Sequence, residues 1–199
     1  MMNRTEQILK IAEKKGIIQA NDIEVLGIAR NYLYKLCKEG LLIKVARGMY
    51  MLPDAPITEN RNLVEIAKRI PNAVVCLISA LSFHEITTQI PHEIWIAVPR
   101  DTWRPNIDYP PLHYTVLTDA VYDFGIQEVD INGIVIKVYS PAKTVADCFK
   151  FRNTVGLDVA IESLKEAWRS HKVSMDELVE AAKINRVSKI MRPYLEAIV

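Results

Sequence analysis

The sequence predicts an α+β fold: an N-terminal winged helix-turn-helix, then a domain with a small antiparallel or mixed sheet and C-terminal helices. Three observations predict it. Residues 21–52, NDIEVLGIARNYLYKLCKEGLLIKVARGMYML, read as a short helix, a tight turn, a second helix and a two-stranded ribbon with a basic tip. Between residues 93 and 139 apolar side chains alternate with period two, the pattern of half-buried strands. From Ser140 onward the period becomes helical and start signals recur.

The elements follow in order. Asn3 and Glu6 have capping-box spacing, so a helix starts near Arg4, with Ile8, Leu9, Ile11 and Ala12 as its apolar side and Gly16 at its end. A second start signal, Asn21 and Glu24, opens a short helix that turns Ile23 and Leu26 inward; Gly27 makes the turn. A third helix is expected from about Ile28 to Glu39. At 100° per residue, Ala29, Leu33 and Leu36 fall on one side and Asn31, Tyr34, Lys35 and Lys38 on the other, with Arg30 at the border and Tyr32 beside the apolar face. On helix periodicity alone, a solvated helix face is the better explanation of such polar residues. The ribbon that follows shifts the balance: Leu41–Val45 and Met49–Leu52 are strands, and Gly48 gives the turn its freedom. Lys44 and Arg47 then sit at a wing tip. Asparagine can read adenine through two hydrogen bonds, and lysine or arginine serves guanine or phosphate. The candidate DNA-binding residues are Arg30, Asn31, Tyr34, Lys35, Lys38, Lys44 and Arg47.

Pro53 and Pro56 mark a linker, so the expected domains are 1–52, a linker at 53–57, and 58–199. Thr58 is placed to cap a helix carrying Leu63, Ile66, Ala67 and Ile70, closed by Pro71. The run 74–78 is apolar and of open type, and Ser79–Ile86 reads as helix. Strands are expected at 93–98, 112–117, 126–131 and 134–139, the last two flanking Asn132-Gly133, a strong hairpin signal. Four or so strands make one sheet. Ser140-Pro141 starts a helix with Val145, Cys148 and Phe149 inward. Leu157, Ala160, Ile161, Leu164 and Trp168 mark another, Ser174 and Glu177 box the next, and Pro193 kinks or restarts the last.

Composition narrows the function. Of 199 residues half are hydrophobic and a quarter charged, ordinary for a globular protein. No apolar run approaches the roughly 20 residues of a membrane helix, and MMNRTEQILK has no signal-peptide core. The expected location is the cytoplasm, without membrane partners. The three cysteines, Cys37, Cys76 and Cys148, fall in apolar segments and read as free thiols. The net charge of +1 divides unevenly: residues 1–52 carry nine Lys/Arg against five acids, the rest sixteen against nineteen. A basic first module suits phosphate contact.

Catalytic motifs are wanting. His84-Glu85 begins a zinc-protease helix, but residue 88 is threonine. The four histidines lack ligand spacing, so no metal and no cofactor is expected. Glu93, Asp101 and Asp130 stand near strands without a Glu-x-Lys nuclease signature. A nucleic-acid-processing enzyme that docks through the winged helix is therefore the alternative to a non-enzymatic regulator. Arg100 and Arg104 bracket Trp103 in a Pro-rich loop; Trp103 either anchors a partner or packs on the sheet, and packing is preferred.

The run GLLIKVARGMYML after a helix-turn-helix, with ISALSFHEIT (78–87), EIWIAVPR (93–100) and YSPAKTVADCFKFRNTVGLDVAIESLKEA (139–167), resembles the AbiEi-type antitoxins of type IV toxin–antitoxin and abortive-infection systems. The block 139–167 is the most specific part. The resemblance implies a repressor that binds operator DNA of its own operon. It also implies a C-terminal domain that counteracts a nucleotidyltransferase-type toxin without a stable complex. The helix after Ser140 becomes a candidate for antitoxin function, with Lys143, Asp147, Lys150 and Arg152 as its charged surface. Spacing alone makes Lys143 and Asp147 a surface i, i+4 ion pair giving a few tenths of a kcal/mol.

Overall fold

The computed structural model describes residues 3–46, 48–54, 61–107, 110–131 and 134–198. It divides into two compact units, Met1–Glu65 with Asp130–Val135, and Ile66–Val129 with Ile136–Val199.

The first unit opens with helix α1 (Arg4–Lys15), whose capping box is formed as read: the Glu6 amide donates to Asn3 Oδ1 at 2.8 Å and the Asn3 amide to Glu6 Oε2 at 3.0 Å. Helix α2 (Ala20–Glu24) begins earlier than its expected signal, because the Gln19 amide donates to Asp22 Oδ2 at 2.7 Å. Lys15 reaches the same carboxylate at 2.7 Å and ties α1 to α2. Helix α3 spans Asn31–Lys38. Strands β1 (Ile43–Ala46) and β2 (Met49–Met51) pair antiparallel, with a register shift between Lys44 and Ala46. Ile18 bridges Tyr50 on the other side of β2, through hydrogen bonds of 2.8 and 3.0 Å. The core of this unit is Ile8, Ala12, Ile18, Ile23, Ile28, Leu33, Leu36, Leu42 and Tyr50. These elements make the expected winged helix-turn-helix.

Two inward assignments there are corrected. Leu26 is 53% exposed, and its place in the core is taken by Ile28. The chain turns after Glu24: the Gly27 amide bonds Glu24 O and the Ile28 amide bonds Ile23 O, which folds Ile28 rather than Leu26 back over α2. Ala29 is exposed because α3 has not yet begun; helical phase counted from Ile28 does not hold before Asn31.

In the second part of the chain, helix α4 (Arg61–Arg69) is followed by strand β3 (Val74–Val75) and helix α5 (Leu77–Phe83). Strands β4 (Ile94–Pro99) and β5 (Leu112–Leu117), the short helix α6 (Asp119–Asp123), and strands β6 (Ile126–Ile131) and β7 (Ile134–Tyr139) complete the middle. The expected cap at Thr58, the Asn132-Gly133 turn and Arg47 lie outside the described residues. Among the described residues the larger sheet has five strands in the order β5-β4-β3-β7-β6. It is mixed: β3 runs antiparallel to β4 and parallel to β7, and β4 runs parallel to β5. The additional strand is β3. Two residues carry little periodic signal, and their strand character comes from pairing on both sides.

Five helices end the chain: α7 (Pro141–Lys150), α8 (Arg152–Val155), α9 (Leu157–Arg169), α10 (Met175–Ile184) and α11 (Ser188–Ile198). Ser140 Oγ caps α7 with Pro141 in its first turn, and Ser174 with Glu177 boxes α10, both as read. Pro193 lies within α11. One sheet face, with Val74, Trp95, Ala97 and Tyr139, packs against Leu81, Val145, Phe149, Leu164 and Leu178 in the largest core. Ile66, Ile70 and Ala73 pack with Ile96 and Val98 in a smaller one. Cys37, Cys76 and Cys148 are free, the last two buried. Trp103 is 76% exposed, so the packed reading of this side chain is corrected: its loop leads away from β4 with the indole in solvent. Among the described residues no helix is long and apolar enough to cross a membrane.

Candidate nucleic-acid interface

Helix α3 owes its two faces to three-to-four-residue spacing. Leu33 and Leu36 are buried against α1 and β2 residues of the first core, while Asn31, Tyr34, Lys35 and Lys38 lie on the exposed side. Gly27, at φ +70°, lets the chain reverse between α2 and α3 at a backbone angle that costs other residues strain. Arg30, itself exposed, precedes the first helical residue. The far end closes with Gly40 at φ +73° and the Leu41 and Leu42 amides on Leu36 O at 2.9 and 3.2 Å, a left-handed C-cap that sends the chain directly into β1. The eight residues of α3 span about 12 Å, comparable with the width of the B-DNA major groove.

The side chains on this face differ in their freedom. Lys35 stands 3.8 Å from Glu39 and 5.7 Å from the Tyr32 ring, where Arg4 also lies, at 5.9 Å. Tyr32 itself packs on the core. Tyr34 is 57% exposed and meets the buried Tyr50 edge to face, with ring centroids 6.1 Å apart, which fixes its ring over the base of the wing. Burial, then the hydrogen bond with Tyr34, pushes the Tyr50 hydroxyl up to about 12, so it stays protonated at neutral pH. Lys44 is exposed on β1. Burial raises the Cys37 thiol pKa, and the charge of Lys44 opposes the shift. Arg30, Asn31, Tyr34, Lys35, Lys38 and Lys44 thus share one small module. Ala46 and Met49 pair across the wing tip, and Gly48 there has φ +76°.

The charged residues after Ser140 are placed differently from the reading. Lys143 and Asp147 are 0% and 1% exposed, so they form a buried ion pair and not a surface one. Lys143 Nζ lies 2.5 and 2.6 Å from the two carboxylate oxygens and 4.3 Å from the centre of the Tyr139 ring. The reason is tertiary: α5, α9, α10 and α11 all pack on α7, so every residue from Ala142 to Phe149 is buried. Burial lowers the lysine pKa and raises that of the aspartate, and their mutual attraction opposes both shifts. The Asn185 amide stands beside Asp147 and helps hold its pKa down, although the contact falls outside ordinary hydrogen-bond distance and angle limits. Lys150 and Arg152 are half-buried and donate to Asn185 O at 3.3 Å and Phe149 O at 3.1 Å. The four residues do not form one exposed charged patch.

A polar cavity of about 500 Å³ opens beside the start of α7, lined by His84, Ser140, Lys172 and Glu177 among others. His84 Nε2 is hydrogen-bonded to Tyr139 O at 2.7 Å, and Lys172 donates to His84 O. Both side chains are committed to holding the loop after α5. Among the described residues no three His, Cys, Asp or Glu side chains are grouped to hold a metal ion.

Fold and site together define a winged helix-turn-helix module joined to an α+β domain. Residues 6–53 match the family model described as transcriptional regulator, AbiEi antitoxin. Among solved structures, the crystal structure of the RV2827C protein from Mycobacterium tuberculosis is similar in fold. Its TM-score is 0.61 at 11% identity, over 98% of this chain and 82% of that one. The search of curated proteins finds no match.

Proposed function

We propose that this protein is a sequence-specific DNA-binding repressor and the antitoxin of a toxin–antitoxin operon in the cytoplasm. Residues 1–52 bind operator DNA of the protein's own operon, 53–57 link, and 58–199 form the antitoxin domain. Helix α3 enters the major groove, where Asn31 reads a base and Arg30, Tyr34, Lys35 and Lys38 contact bases or phosphates; Lys44 and Arg47 of the wing hold the backbone. The observation that carries this reading is the division of α3. Leu33 and Leu36 are fully buried, while Asn31, Tyr34, Lys35 and Lys38 share the solvent face. The family match over 6–53 supports it. No catalytic residue, metal or cofactor has a part in this function. The toxin is of the nucleotidyltransferase type and is counteracted without a stable complex.

The test uses the full chain with Asn31→Ala, Lys35→Ala and Lys38→Ala together. Repression of a reporter driven by the protein's own upstream region is lost, while rescue of cells expressing the neighbouring toxin is kept. Repression that persists in this variant overturns the DNA-binding assignment. Failure of the parent chain to rescue overturns the antitoxin assignment alone.

A further inference from the structure

The loop between β4 and β5 holds an aromatic side chain that the winged helix leaves unexplained. Of the three tryptophans, Trp95 is 7% exposed and Trp168 is partly buried in the large core, whereas Trp103 is 76% exposed. Arg100 and Arg104, on either side of it, are exposed as well. The loop is held at both ends. The Thr102 amide bonds Pro99 O at 3.2 Å, forming a turn directly off β4. Tyr114 donates to Pro105 O at 2.8 Å, and Ile107 packs on the core of Ile96 and Val98. Proline at 99 and 105 further limits the chain. The tip 100–104 is therefore displayed at little ordering cost, the arrangement that favours binding.

Its chemistry selects the partner. Within residues 99–107 Trp103 is the sole exposed large apolar side chain, so the tip lacks the apolar surround of a protein hot spot. It carries two guanidinium groups against one carboxylate, Asp101. An isolated indole between cations matches a base between phosphates: bases stack on aromatic faces, and arginine tracks the backbone. We propose that this loop binds single-stranded nucleic acid, stacking one base on Trp103 with the flanking phosphates on Arg100 and Arg104.

The experiment is fluorescence anisotropy with end-labelled U12 and dT12. It uses the full chain carrying Asn31→Ala, Lys35→Ala and Lys38→Ala, so that helix α3 contributes little. Trp103→Ala is expected to weaken binding by about tenfold or more, and Trp103→Tyr by much less. Arg100→Ala with Arg104→Ala lowers the log–log salt slope by about 1.4, roughly 0.7 per single-strand phosphate. Because Trp103 is exposed, its substitution leaves the fold intact, which an unchanged melting curve checks. Tighter binding of U12 assigns the site to RNA, tighter binding of dT12 to DNA, and parity to either strand. Absence of binding to both oligomers, or equal affinity of the parent and Trp103→Ala chains, overturns the proposal. Operator-duplex binding by an otherwise unmodified Trp103→Ala chain stays at the parental level, so this site and the α3 site fail separately.

Discussion

Replacing Lys143 by methionine removes the ammonium from a pair that has no access to water. Asp147 is 1% exposed, and its carboxylate is held by two contacts to Lys143 of 2.5 and 2.6 Å. Asn185, beside it, is a neutral amide and cannot supply the positive charge that is lost. Breaking one side of a buried pair costs about 3–5 kcal/mol, because the remaining charge is stranded. For a unit of this size that corresponds to a fall in Tm of about 10–20 °C. The stranded aspartate can escape by protonating, and burial already raises its pKa, so the loss shrinks as pH falls from 7.5 to 5. Removing both charges with Lys143→Met and Asp147→Leu leaves an apolar helix face and recovers most of the stability, since a packed apolar pair is often as stable as a buried ionic one. The assay is urea unfolding followed by tryptophan fluorescence; Trp95, Trp103 and Trp168 all lie in the second unit, which contains α7. A Lys143→Met chain within about 1 kcal/mol of the parent at pH 7.5, below the penalty of an unpaired buried charge, would refute the reasoning. So would a double variant no more stable than the single one.

Two further outcomes follow from the same domain. Burial lowers the His84 pKa below its ordinary 6.5, so the folded state takes up its proton later than the unfolded chain does. Its contribution is complete above pH 6.5 and is lost as pH falls through the folded value. Tm therefore drops between pH 7.5 and 5.5, and His84→Gln flattens that dependence; an identical pH profile in the variant counts against it. Gly125 has φ +73°, and a Cβ there would lie 2.8 Å from Lys143 Cβ and 3.0 Å from Ser140 Oγ. Gly125→Ala should cost about 1–3 kcal/mol, read as a lower urea midpoint by the same fluorescence assay; an unchanged midpoint rejects the close approach.

What the sequence revealed was local. Strands at 112–117, 126–131 and 134–139 match their expected limits, because each shows its alternation within six residues. The caps at Asn3, Ser140 and Ser174 are likewise legible, since their partners lie three residues away. The polar face of α3 was readable from spacing alone, and the structure leaves Asn31, Tyr34, Lys35 and Lys38 in solvent. What was missed depends on distant chain. Lys143 and Asp147 have the spacing of a surface pair, and only helices α5, α9, α10 and α11 bury them. Strand β3 exists because β4 and β7 pair with it. Leu26 and Ile28 exchange places according to how the chain reverses at Gly27, a backbone choice that apolar periodicity does not register. Trp103 has a core-like composition and a solvent-facing position, which only the path of its loop decides.

The central claim, that α3 and the wing hold this protein on DNA, is tested most directly by the salt dependence of binding to its own upstream duplex. Affinity is measured over a range of salt for the parent and for a chain with Lys35→Ala, Lys38→Ala and Lys44→Ala. The variant is expected to bind more weakly, with a log–log slope shallower by about 0.9 for each phosphate contact removed, up to about 2.7 for all three. Equal affinity and equal slope in the two chains would contradict it.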